Sequence, residues 1–210
     1  MSEKGTKFTV RCTVFLAGLF VLALGVVFMM QAKLGVASWD VLHIGLTHLT
    51  ALSMGTWIQI IGILMIWITC VLDRKWPRIG SVLNIVLIGY FVNWLLALDI
   101  VPAVELLWAR ILMLVFGIVL MGFGAGMYVA SNIGAGPRDG LTLLLAERSG
   151  WSIRLVRTIL EGTALLLGWL ATGPVSVGTF VSVLMVGPVM QASLRFWRKQ
   201  MEKLAAAAAS

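Results

Sequence analysis

The feature that most constrains this chain is the recurrence of apolar stretches long enough to cross a bilayer. A transmembrane helix needs about 20 mostly apolar residues. Six segments have this character: 12–32, 54–72, 79–98, 111–130, 153–171 and 178–194. The first is too long for the apolar part of a cleavable signal peptide, and no small-residue cleavage pattern follows it. The sequence therefore predicts an all-α, polytopic membrane protein with six transmembrane helices.

The composition agrees with a single membrane domain over residues 1–210. Hydrophobic residues make up 60% of the chain, charged residues 12%, and the mean hydropathy is +1.00. A soluble domain carries about 25% charged residues, and a chain this short cannot hide so much apolar surface from water. Cys12 and Cys70 lie within apolar stretches and are typical of small buried hydrophobes. Disorder, a collagen-like repeat and a disulfide scaffold are excluded.

The basic residues are distributed unevenly between the predicted loops. With the N-terminus placed in the cytoplasm, fourteen Lys and Arg residues fall on the inner side, and Lys33 and Arg110 fall on the outer side. Because Lys and Arg in short loops set membrane orientation, both termini are predicted to be cytoplasmic, with residues 198–210 as a tail. The net charge of +7 thus follows from orientation. No basic stretch is interleaved with exposed aromatics, so nucleic acid is not an expected partner.

An internal repeat relates the two halves of the chain. An offset of 99 residues aligns, without a gap, Arg11 with Arg110, Gly18 with Gly117, Gly25 with Gly124, Gly35 with Gly134, Asp40 with Asp139, and Ser53 with Ser152. Repeat one is predicted at 8–102 and repeat two at 107–197, with three spans in each. Because three is an odd number, the second repeat must enter the membrane from the opposite side, as the charge distribution also requires. Such inverted repeats build the two gates of many secondary transporters.

Each repeat also contains a short apolar segment that begins beside an aspartate. These segments, 41–49 after Asp40 and 141–146 after Asp139, are too short to cross a bilayer and predict two half-helices. Ser38 is placed to act as the N-cap of the first, and Pro137 has the backbone angle favoured in the first turn of the second. The aspartates either cap these helices or form the polar ends of a substrate pathway.

Polar side chains within the predicted spans are further candidates for a binding site. Arg157 and Glu161 are spaced one helical turn apart, which allows an ion pair. That pair either neutralises itself or supplies a titratable carboxylate and an anion-binding cation. Amide side chains either bond neighbouring helices or line a cavity. The predicted substrate-binding residues are Trp39, Asp40, Gln59, Asn84, Arg138, Asp139, Arg157 and Glu161.

No motif for enzymatic or cofactor chemistry is visible in the sequence. The chain lacks a P-loop, an HExxH motif and a GxSxG motif. Asp40 and His43 share a helix face, but His48 lies off that face, so the spacing does not favour a metal site. We therefore expect no catalytic residue, no cofactor and no metal, and we expect any transport to be facilitated or coupled to an ion gradient.

Three stretches resemble the YczE/YyaS/YitT family of bacterial integral membrane proteins. They are GVASWDVLH at 35–43, GAGPRDGL at 134–141 and SIRLVR at 152–157, and the likeness runs from about Arg11 to Gln191. The family commonly has proline where this chain has Ser38. The resemblance implies a multi-pass protein of the bacterial inner membrane that is suspected of transport.

Two functions from different classes are consistent with these observations. The first is a small secondary transporter that moves a small polar or anionic solute by alternating access, alone or as a homodimer in the lipid bilayer. The alternative is a non-catalytic membrane scaffold or accessory subunit of a bacterial inner-membrane complex. An intramembrane enzyme acting on lipid is disfavoured because no catalytic motif accompanies the two aspartates.

Overall fold

The structure is a computed structural model that describes residues 3–134 and 136–207, with side chains over 8–134 and 136–203. These residues form helices and loops without strands, which confirms the all-α prediction. The helices are α1 (Glu3–Ala32), α2 (Ser38–Leu49), α3 (Met54–Asp73), α4 (Ile79–Ala97), α5 (Leu107–Ala130), α6 (Pro137–Ser149), α7 (Ile153–Leu170) and α8 (Val177–Ala207). The predicted tail therefore continues α8 as far as Ala207, and residues 208–210 lie outside the described part.

Within the described ranges, five helices are long and apolar enough to cross a membrane: α1, α3, α4, α5 and α8. The chain is thus a multi-pass membrane protein. Helix α7, the fifth of the six predicted spans, is not among the five because Arg154, Arg157 and Glu161 fall within its 18 residues. A charged side chain at the centre of a bilayer costs about 2.5–3.5 kcal/mol or more. Helix α7 therefore needs protein or water around its charged groups.

The two short helices form where the sequence places them and begin slightly earlier than predicted. Helices α2 and α6 contain 12 and 13 residues, or roughly 18–20 Å, which is less than the hydrocarbon thickness of a bilayer. Asp40 and Asp139 lie in their first turns, and Pro137 occupies the start of α6, as predicted. The prediction that Ser38 caps α2 is wrong. Ala37 is the N-cap residue without a side-chain bond, because the extended backbone ends there and Ser38 is already helical.

Helices α1 and α5 pack closely along glycines that the repeat aligned. A Cβ on Gly18 would lie 2.6 Å from the backbone nitrogen of Tyr128, and one on Gly124 would lie 2.6 Å from the carbonyl oxygen of Gly18. Gly25 and Gly117 meet in the same way. Small residues allow such close approach between membrane helices. Under the 99-residue offset, the contact of Gly18 with Gly124 corresponds to that of Gly117 with Gly25.

The second and third helices of each half of the chain pack against helices of the other half. Helix α2 packs on α7, and α3 packs on α6. The backbone nitrogen of Gly178, at the start of α8, donates to the carbonyl oxygen of Leu34 at 2.8 Å. Gly80, at the start of α4, lies against Ile133 and Gly134. The loop before each short helix therefore supports the start of the last helix of the other half.

The two halves differ where their last two long helices face each other. Helix α3 packs along α4, and the backbone nitrogen of Gly55 donates to Asn93 Oδ1 at 2.9 Å. Helices α7 and α8 hardly touch, and a Cβ on Gly187 would meet no atom within 4 Å. The offset places Arg154 of α7, which is exposed, at the position of Gly55. A seam is therefore closed between α3 and α4, and a gap separates α7 from α8.

Candidate binding cavity

A cavity of about 130 Å³ lies where the two short helices begin, and all eight helices contribute to its walls. Seven of the eight predicted site residues line it: Trp39, Asp40, Asn84, Arg138, Asp139, Arg157 and Glu161. The fold thus brings these residues, from four helices and from both halves of the chain, to one place. Apolar side chains, including Leu22, Val26 and Ile58, form much of the remaining wall.

Gln59 is the one predicted site residue that does not line the cavity. Its Nε2 donates to the backbone carbonyl oxygen of Val86 at 3.0 Å. This bond joins α3 to α4, so Gln59 contributes to the closed seam. Its role is that of an amide bonding a neighbouring helix, which was the other interpretation of this residue.

The first turns of α2 and α6 meet at the cavity through Trp39 and Arg138. The guanidinium of Arg138 lies 5.1 Å from the centroid of the Trp39 ring. A cation at this distance from an indole is attracted by the negative face of the ring. The start of a helix also carries free backbone N–H groups and a partial positive charge. The cavity therefore has two helix N-termini and a guanidinium on one wall.

Asp40 and His43 form a buried pair one helical turn apart on α2. Each is only 2% exposed, and 3.6 Å separates His43 Nδ1 from Asp40 Oδ1, which is too long for a hydrogen bond. Asp40 Oδ2 and His43 Nδ1 have no hydrogen-bond partner. Burial lowers the pKa of the His43 imidazole in spite of the nearby carboxylate, so the neutral ring is favoured. The capping role suggested for Asp40 has no hydrogen bond to support it.

Asn84 and Tyr128 bring two more polar groups to the cavity. Asn84 is 2% exposed, and its Nδ2 lacks a hydrogen-bond partner. The Tyr128 hydroxyl lies close to Asn84, and a Cβ on Gly136 would lie 2.8 Å from that hydroxyl oxygen. Gly136 therefore leaves room for Tyr128 at the start of α6. Buried polar atoms are normally bonded, and Asn84 Nδ2 is an exception among the described residues.

Asp139 interacts with two arginines without a close ion pair. Burial raises the pKa of the Asp139 carboxyl, and the nearby charges of Arg157 and Arg138 oppose that rise only in part. Among the described residues, ion pairs within 4.0 Å are limited to Asp40 with His43 and Lys75 with Asp73. The ion pair of Arg157 with Glu161 that the spacing allows is therefore absent in this structure. Both side chains face the cavity separately.

His43 and Tyr128 are cavity residues that the predicted set omits. His43 follows Asp40 by three residues, so helical spacing could have placed it on the same wall. Tyr128 gave no such signal because it lies near the end of an ordinary apolar span. His48 lies elsewhere, with its Nδ1 3.2 Å from both the carbonyl oxygen and Oγ1 of Thr172. In the described residues no three His, Cys, Asp or Glu side chains are grouped as metal ligands.

These observations define the class: a multi-pass, α-helical membrane protein with a charged cavity at the meeting point of two short helices. The chain belongs to DUF6198, a family of unknown function whose pattern matches residues 9–195. It is 38% identical over 189 residues to "Uncharacterized membrane protein YczE" of Bacillus subtilis, covering 90% of this chain and 87% of that protein. The resemblance to the YczE and YyaS proteins is thereby confirmed.

Two further relatives are similar over most of their length. An "Uncharacterized protein" of Haemophilus influenzae is 31% identical over 185 residues, covering 85% of this chain and 81% of the relative. "Uncharacterized protein YyaS" of Bacillus subtilis is 26% identical over 174 residues, covering 82% of this chain and 87% of the relative. No solved structure matches the chain.

Proposed function

We propose that this protein is a small secondary transporter of the cell membrane, which moves a small polar or anionic solute through the central cavity. The observation that carries the proposal is the cavity itself. It combines two arginines, three carboxylates and two helix N-termini in the interior of a membrane protein. Ionisable groups within membrane proteins are costly and mark solute or ion pathways. Broken helices that meet near the midplane are a common way to build such sites.

The architecture underlying the proposal is an inverted repeat of three spans each, with α7 as the sixth span. The reciprocal contacts of Gly18 with Gly124 and of Gly25 with Gly117 support a two-fold relationship between the halves. The exchanged packing of α2 on α7 and of α3 on α6 supports it as well. Both Arg157 and Glu161 of α7 line the cavity, which supports α7 as the sixth span. Six spans leave both termini in the cytoplasm, in agreement with the positive-inside rule.

The difference between the two seams supports alternating access. Helix α3 packs along α4, whereas α7 and α8 hardly touch, and both pairs contribute residues to the cavity wall. In the proposed cycle the two repeats exchange these arrangements, so that α7 closes on α8 while α3 separates from α4. The positive-inside rule assigns the start of α7 to the cytoplasm. In the proposed cycle, the state in which α7 is apart from α8 is the one open to the inside.

Solute flux into liposomes containing the purified full-length chain tests the proposal. Labelled amino acids, organic anions and vitamins would be screened for uptake or exchange. We expect Asp139→Asn and Glu161→Gln to reduce flux of the transported solute by at least tenfold without loss of folded protein. Asp73→Asn and Glu147→Gln are matched controls outside the cavity and should keep wild-type flux.

Two outcomes would overturn this proposal. Equal flux in the cavity variants and the controls would remove Asp139 and Glu161 from the pathway. No flux for any class of solute, together with a protein that co-purifies in fixed proportion, would instead favour the scaffold function. The oligomeric state in the same liposomes decides whether the transporter works as a homodimer.

A further inference from the structure

Three buried polar atoms at the cavity lack a hydrogen-bond partner: Asp40 Oδ2, His43 Nδ1 and Asn84 Nδ2. Their residues are each only 2% exposed, so bulk water does not satisfy them. An unsatisfied buried polar group destabilises the folded protein, and more so when the group is charged. A molecule bound in the cavity would satisfy all three at once. It must donate to the Asp40 carboxylate and accept from the Asn84 amide.

The charged side chains of the cavity also lack close partners. Arg138 and Arg157 line it together with Asp139 and Glu161, and none of these four forms an ion pair within 4.0 Å among the described residues. Arg138, Asp139 and Glu161 are half-buried, and Arg157 is exposed; an ion that loses water is destabilised unless an opposite charge approaches closely. An anionic molecule would leave Asp40 unpaired, and a cationic one would leave the arginines unpaired. A molecule that carries a positive and a negative charge would pair with Asp40 and with the arginines.

The Asp40 carboxylate and the two arginines of the cavity come from different helices. Asp40 and His43 lie on α2, and the neutral His43 does not cancel the carboxylate. Arg138 and Arg157 come from α6 and α7, and both interact with Asp139. The apolar wall formed by Leu22, Val26 and other residues suits a carbon skeleton between the two. The Trp39 ring of α2 contacts the Arg138 guanidinium of α6.

We propose that the solute is a small zwitterion whose protonated amine binds Asp40 and whose acidic group binds Asn84, Arg138 and Arg157. This inference rests on the proposed transport function, because it names the class of solute that the cavity carries. It narrows "small polar or anionic" to molecules that carry both a primary or secondary amine and an acid on a short chain.

Binding measured on the full-length protein in detergent tests this inference without requiring transport. The probes are the twenty standard α-amino acids, taurine and β-alanine, each paired with its analogue lacking the amine and its analogue lacking the acid. We expect at least one zwitterion to raise the melting temperature and to bind saturably by calorimetry. Both of its analogues should bind at least tenfold more weakly, a difference of about 1.4 kcal/mol.

Asp40→Asn should weaken binding of that zwitterion at least tenfold and leave binding of its amine-free analogue unchanged. Asp73→Asn is the matched control and should change neither. If Asp40→Asn does not fold, the comparison of each zwitterion with its two analogues on the wild-type protein decides alone. The inference is overturned if no probe zwitterion binds, or if an amine-free analogue binds as tightly as its parent.

The failure of this inference and the failure of the transport proposal give different results. Flux of an organic anion in liposomes, with no binding of any zwitterion, would leave the transporter proposal standing and remove this one. Saturable zwitterion binding without flux would support the zwitterion site and contradict the transport proposal.

Discussion

The guanidinium of Arg138 lies over the indole ring of Trp39, 5.1 Å from its centroid, and joins the first turns of two short helices. The two residues are separated by 99 positions in the sequence, the same offset that aligns Asp40 with Asp139. Trp39 is the residue immediately before Asp40, and Arg138 is the residue immediately before Asp139. Two positions that this offset aligns therefore contact each other directly.

A double-mutant cycle on this contact should give a coupling energy of about 0.5–2 kcal/mol. Trp39→Leu and Arg138→Gln are each expected to lower stability, and their effects should not add, because either change alone removes the cation–π contact. Unfolding of the purified protein in detergent measures the four stabilities. Trp76→Leu with Arg78→Gln is the control, since Trp76 is almost fully exposed. Additive effects in the Trp39 cycle would show that the contact contributes nothing.

Leucine at Gly25 should prevent the close packing of α1 on α5. A Cβ there meets the backbone of Met121 and lies 2.7 Å from the carbonyl oxygen of Gly117. Backbone cannot move aside as a flexible side chain can, so Gly25→Leu is expected to abolish the folded, monodisperse protein. Gly140→Ala is the control because a Cβ at that position meets no atom within 4 Å. It should be neutral or stabilise α6 by up to about 1 kcal/mol, and size-exclusion profiles together with melting temperatures report both results.

Gly89 of α4 and Gly187 of α8 should respond differently to the same change. A Cβ on Gly89 would collide with the carbonyl oxygen of Gly55, whereas one on Gly187 meets no atom within 4 Å. Gly89→Leu is therefore expected to lower the melting temperature strongly, and Gly187→Leu to leave it within a few degrees. In liposomes Gly187→Leu should still reduce flux at least tenfold, because the added side chain prevents α7 from closing on α8. Wild-type flux in that variant would contradict the proposed exchange of seams.

The carboxyl of Asp139 should make the protein less stable as the pH rises. Its pKa is raised above the ordinary value of 3.8, mainly by burial. Between 3.8 and the raised value, the folded state binds the proton more tightly than the unfolded state does, so stability falls as the pH increases through this window. Asp139→Asn removes the effect. The melting temperature of the variant minus that of the wild type should therefore increase with pH, and a difference independent of pH would refute the shift. Asp73→Asn is the control.

Much of the fold follows from the sequence because membrane helices are specified locally. The predicted spans match helix ends closely: the second, at 54–72, became α3 at Met54–Asp73, and the third, at 79–98, became α4 at Ile79–Ala97. Apolar length is sufficient information, since every backbone group in lipid must bond within its own segment. Even the short helices could be predicted, because Asp40 and Asp139 precede apolar runs too short to cross.

The tertiary structure decided which side chains meet. Gln59 and Asn84 are both amides within spans, yet one bonds α4 at the seam and the other faces the cavity. Arg157 and Glu161 have ideal spacing for an ion pair, but in the structure they form no ion pair within 4.0 Å, and both line the cavity. Such choices depend on the rotation of each helix about its axis and on the packing of its neighbours.

By itself, then, the sequence determined the number and the approximate ends of the helices, because these depend on length and polarity along one chain. It also determined which charged residues must leave the lipid. Only the tertiary structure decided that the two short helices meet through Trp39 and Arg138, that His43 and Tyr128 join the cavity, and that one seam is closed while the other is open. Those features depend on distances between residues far apart in the chain, which only the packed helices set.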